Sequence, residues 1–86
     1  MYIKLKAVHN PDFPQIEVPR PKTIQVKDLV DASQKALKYI EKSNIGSGNF
    51  PMARVFDADD CIIATVSYNG KVWTSNEEEL LYNPYA

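Results

Sequence analysis

From Pro51 to Ser75, apolar and polar residues alternate in three short runs, parted by polar breaks at Asp57-Ala58-Asp59-Asp60 and Asn69-Gly70. Alternation is the period of a strand with one face buried, so this stretch predicts an antiparallel three-stranded meander. Asn69-Gly70 suits a two-residue type I′ turn, which needs positive φ at both central positions. Such a turn pairs Tyr68 with Lys71, Ser67 with Val72 and Val66 with Trp73. A four-residue loop at Asp57–Asp60 pairs Val55 with Ile62 and Ala53 with Ala64. In this register Ala53, Val55, Ile62, Ala64, Val66 and Trp73 share one face, the expected core side. The opposite face presents Arg54, Phe56, Cys61, Ile63, Thr65, Ser67, Val72 and Thr74. Phe56, Ile63 and Val72 together are too apolar for a solvated sheet surface. Either the proline-rich segment 10–22 covers them, through Phe13, Ile16 and Val18, or a second chain does.

Tyr2 to Val8 also alternates, Ile3, Leu5 and Ala7 against Lys4 and Lys6, and reads as a half-buried strand. Pro11, Pro14, Pro19 and Pro21 remove amide donors and fix φ, which excludes a central strand or helix there. Thr23–Val26 is a candidate short strand before the one clear helix. Asp28 is placed to cap that helix by accepting from the Asp31 amide, and both acids complement its dipole. Leu29, Ala32, Ala36, Leu37 and Ile40 form the apolar stripe, with Asn44 and Gly46 as the positive-φ stop. Ser75 followed by Glu77, Glu78 and Glu79 reads as the capped start of a second, short helical turn. The expectation is a single α+β domain over residues 1–86: an antiparallel sheet of three or four strands with one helix packed on one face.

At 86 residues the chain has room for one core, burying about 60–65% of the unfolded surface. The alternating start lacks the continuous apolar region of a secretory signal, and the single cysteine, Cys61, allows no internal disulfide. Both point to a reducing, cytoplasmic setting. Net charge is −1, which favours neither a nucleic-acid nor a membrane-surface binder on bulk grounds. The distribution is uneven, +3 over residues 1–50 and −4 over residues 51–86, an asymmetry able to steer a partner.

Chemistry has little to build on. A thiol enzyme would need Cys61 and the sole histidine, His9, together with an orienting group, and no motif around Cys61 supports this. A strand cysteine is ordinarily a small apolar packing residue. Asp57–Asp60 begins like a calcium loop, but Ile62 and Tyr68 stand where glycine and a bidentate glutamate are required. A hairpin turn built on aspartate is the better account. Gly46-Ser47-Gly48 follows a helix instead of preceding one, the wrong end for a phosphate. No catalytic residue, metal or cofactor is expected. Lys4 and Lys6 with Lys35 and Lys38 form a possible basic patch, with Tyr2 and Tyr39 as the available aromatics, weakened by the opposing acids.

The capped alanine-containing helix, its stop, Phe50, and the hairpin Ser67-Tyr68-Asn69-Gly70-Lys71-Val72-Trp73 resemble small uncharacterised proteins of phages and plasmids. Some small anti-CRISPR proteins share this helix-then-meander outline, over about residues 23–74. The resemblance implies a mobile-element protein that occupies the surface of a host or defence protein. The residues themselves point to a non-catalytic protein-binding module. Its expected contacts are Phe56, Ile63 and Val72 on the outer sheet face and the acids Asp59, Asp60, Glu77, Glu78 and Glu79. Tyr82 and Tyr85 near the terminus join them. A nucleic-acid-binding accessory role and a homodimer using the same face are the alternatives.

Overall fold

The computed structural model describes residues 1–8 and 19–86. The expected cover by Phe13, Ile16 and Val18, and His9 as a partner for Cys61, lie outside the described residues. Among the described residues six strands form one sheet: β1 (Tyr2–Leu5), β2 (Lys22–Gln25), β3 (Ala53–Phe56), β4 (Ile62–Val66), β5 (Val72–Trp73) and β6 (Leu80–Tyr82). Their order is β2-β1-β3-β4-β5-β6, and every neighbouring pair is antiparallel. Helix α1 (Leu29–Ser43) packs against β1 and β4. The α+β class with one helix on an antiparallel sheet is as expected. The sheet is wider than three or four strands, because the chain start pairs on both sides and the C-terminal tail adds an edge.

The helix begins and ends for local reasons. The Asp28 carboxylate accepts from the Asp31 amide at 2.8 Å, satisfying a donor that the first turn leaves open. Asn44 takes the left-handed conformation (φ 52°), and its amide donates to the Glu41 carbonyl. Gly46, at φ −96°, takes no part in that stop. Ala32, Ser33, Ala36, Tyr39 and Ile40 are buried, while Leu37 is half-buried. Ser33 is tolerated on this face because its hydroxyl donates to the Gly70 carbonyl at 2.6 Å. Tyr39, a candidate surface aromatic from sequence, is a core residue 6.4 Å from the Phe50 ring, with its hydroxyl on the Arg20 carbonyl. Beneath the helix lie Ile3, Leu5, Val55, Ala64, Val66 and Val72, each no more than 1% exposed. Full burial of such a valine, leucine or isoleucine contributes about 1.5–3 kcal/mol.

Two of the turns differ from expectation, and they reset the register. Ser67 donates to the Lys71 carbonyl at 3.0 Å and Gly70 to the Ser67 carbonyl at 2.9 Å, enclosing the three residues Tyr68–Gly70. Only Gly70 has positive φ (83°), so this is a type I turn closed by a left-handed glycine. The Asp57–Cys61 turn repeats the design with Asp60 at φ 62° in the glycine's place. The Asp57 carboxylate accepts from the amides of Asp59 and Cys61, which is the turn role assigned to it.

A three-residue loop slips the pairing by one position, and a one-residue slip exchanges faces. Val72 therefore pairs with Val66 and is fully buried, while Trp73 pairs with Thr65 on the other side. The expected places of Val72 and Trp73 are reversed. An irregularity between Val55 and Phe56 likewise sets Phe56 opposite Ile62. Ile62 is 40% exposed, whereas Ile63 is half-buried and packs against the core. A bulge of this kind re-aims side chains by inserting one extra residue.

The tail forms a hairpin, not the expected helical turn. Glu77 takes φ 64°, Thr74 donates to the Glu79 carbonyl, and the Thr74 hydroxyl accepts from the Glu78 and Glu79 amides. Tyr82 then pairs with Val72 and packs on the core. Pairing β5 satisfies an edge that a helix would have left open.

Candidate binding surface

The face turned away from α1 can be built from the register alone. One row across the strands reads Gln25, Tyr2, Phe56 and Ile62. The next reads Thr23, Lys4, Arg54, Thr65, Trp73 and Leu80. Tyr2 and Phe56 stack with ring centroids 5.0 Å apart and planes 13° from parallel. Lys4 Nζ lies 5.0 Å from the Phe56 centroid, a cation–π distance. The Trp73 indole N–H reaches the Ser67 hydroxyl at 3.5 Å, and Thr65, between Arg54 and Trp73, is buried. Leu80 is 41% exposed at the far edge.

Charge is sorted along the strands. The β3–β4 turn, with Asp57, Asp59 and Asp60, and the β5–β6 turn, with Glu77, Glu78 and Glu79, leave the sheet at the same end, and Glu77 also lines a cavity over the sheet with Arg54, Thr65, Pro51 and Met52. Tyr2 is tied to this acidic end, its hydroxyl donating to Asp60 Oδ1 at 2.6 Å. That hydrogen bond to a carboxylate raises the tyrosine's ionisation above its ordinary value of 10.0, with smaller contributions from desolvation and from the charges of Asp60 and Asp57. Toward the opposite end a groove of about 380 Å³ opens over β2, β1 and β3. Among the described residues its lining includes Lys4, Lys6, Lys22, Thr23, Arg54 and Phe56, and no carboxylate. The ion pair found among the described residues is elsewhere, Lys35 to Asp31 at 3.8 Å on α1.

Of the contacts expected from sequence, Phe56 lies on this open face, and Asp59, Asp60, Glu77, Glu78 and Glu79 are exposed at one end of it. Tyr85 is 69% exposed beyond β6. Val72 does not belong to the surface, being wholly buried under α1, and Ile63 and Tyr82 pack on the core. Arg54 is on the outer face as expected and Tyr2 was expected only as an aromatic beside a basic patch, while Ile62, Trp73 and Leu80 were missed on this face. The signal for Trp73 was the turn length, since a three-residue loop at Asn69-Gly70 moves it outward. Lys4 and Lys6 share their groove with Lys22 and Arg54, not with the helix lysines. Cys61 is exposed in a turn, its Sγ 3.9 Å from the Asp59 carbonyl. Comparison with family models, curated proteins and solved structures finds no match to this chain.

Proposed function

We propose that this chain is a non-catalytic module that binds a protein through the open face of its sheet. The observation that carries the reading is that face itself: Tyr2, Phe56, Ile62, Trp73 and Leu80 lie on it, uncovered by α1. Aromatic and aliphatic side chains of this kind supply most of the affinity when a partner desolvates them. The acidic turns at one end would steer approach, setting on-rate and register more than affinity. The resemblance to small phage and plasmid proteins adds a class of partner, a host or defence protein whose surface is occupied and thereby inhibited.

The test is retention of a protein from host lysate by the immobilised chain, with Phe56→Ser/Trp73→Ser compared against Lys38→Ser on the exposed side of α1. A protein retained by the parent and the helix variant, and lost with the sheet variant, is the expected result. Equal retention by all three, or none by any, overturns the reading. Sedimentation of the same samples identifies a second copy of this chain as the occupant if the parent alone is dimeric.

Nucleic-acid binding is the second reading, supported by the juxtaposition of Lys4, Lys6, Lys22 and Arg54 with Tyr2 and Phe56. Against it stand the carboxylates of the Asp57–Asp60 and Glu77–Glu79 turns on the same sheet, which would repel a phosphate backbone laid along the strands.

A further inference from the structure

Lys4 and Arg54 stand directly opposite each other on adjacent strands. Like charges in that position destabilise a sheet. Lys6 and Lys22 line the same groove, and among the described residues no carboxylate lines it. Part of the cost is offset where Lys4 sits over the Phe56 ring. Arg54 also lines a second cavity with Glu77, whereas Lys6 and Lys22 make no ion pair among the described residues, a local imbalance of the kind binding sites often carry.

From this we infer that the groove over β2, β1 and β3 receives an acidic segment of the protein partner; the inference rests on the protein-binding reading above. The surrounding charge selects a polypeptide over a polynucleotide. The same sheet is cationic at the groove and anionic at the Asp57–Asp60 and Glu77–Glu79 turns. A protein can present acids to one end and bases to the other, whereas a nucleic acid offers phosphate along its whole length. The Phe56 ring is already engaged by the stacked Tyr2 and by the Lys4 ammonium. Thr23 adds a hydroxyl at the groove wall, and the glutamate or aspartate side chains of an extended segment would meet Lys4 and Arg54.

The experiment uses the full chain and two fluorescein-labelled probes, a short peptide of alternating glutamate and valine and an oligothymidylate of equal length. Fluorescence anisotropy at low and near-physiological salt should give saturable peptide binding that weakens with salt, and oligothymidylate binding weaker by about tenfold or more. Lys6→Glu/Lys22→Glu, on exposed positions that leave the core untouched, should weaken peptide binding by about tenfold or more. Arg54→Thr should weaken it likewise, since it removes one of the two cations that stand opposite each other at the groove. Tighter binding of the oligothymidylate, peptide affinity unchanged by the charge reversals, or no saturable binding overturns the inference. If host-protein retention is lost with Phe56→Ser/Trp73→Ser but kept with Lys6→Glu/Lys22→Glu, the sheet-face reading stands and the groove is removed from it.

Discussion

Gly70 answers to two constraints at once. Its φ of 83° lies where side chains are strained, and a Cβ built there would meet the Leu37 side chain at 2.8 Å. Its carbonyl also holds the buried Ser33 hydroxyl, so the turn is fastened to the helix. Gly70→Val should destabilise the fold by about 2–4 kcal/mol, combining backbone strain with overpacking against Leu37. Chemical denaturation measures this, and an unchanged midpoint would contradict the turn geometry. Tyr2 provides a second residue-level test. Its ionisation is raised by the Asp60 hydrogen bond, so the folded state favours the neutral phenol. The resulting stabilisation is fully present below the unfolded value near 10.0 and is lost as pH rises through the folded value. Asp60→Asn should bring the Tyr2 titration, followed by its ring carbon shifts, back toward ordinary. A titration unmoved by Asp60→Asn would show that the hydrogen bond is not made in solution.

Turn length controls the elements. The alternation of residues 51–75 revealed strands, and the capping chemistry of Asp28 and Asn44 revealed the helix, because both are local properties of the chain. What alternation does not specify is which of its two faces points inward, and Asn-Gly serves a two-residue or a three-residue loop. Choosing two residues put Trp73 inside and Val72 outside; the hydrogen bond from Ser67 to Lys71 reverses them. The tail was misread for a similar reason. Three glutamates after a serine match a helix start, but Thr74 and the open β5 edge turn the same residues into a hairpin. Much of the candidate surface was hidden by these two errors, while its acidic turns were legible as exposed polar breaks. The corrected register predicts that Val72→Asp abolishes cooperative folding, by placing a carboxylate in a fully buried site. Trp73→Ser should keep a cooperative transition at a lower midpoint. Circular dichroism during thermal unfolding separates the two, and the reverse pattern would restore the two-residue turn.

At the scale of the whole molecule, α1 covers one face of the sheet and leaves Tyr2, Phe56, Ile62 and Trp73 on the other, between an acidic end and a cationic groove. That division of labour is the central claim: one face holds the fold together and the other is kept for a partner. Photo-crosslinking tests it most directly, with a benzophenone amino acid placed at Ile62 on the open face or at Lys38 on the exposed side of α1. The account predicts a protein adduct from position 62 and none from position 38. An adduct formed only from position 38 would contradict it.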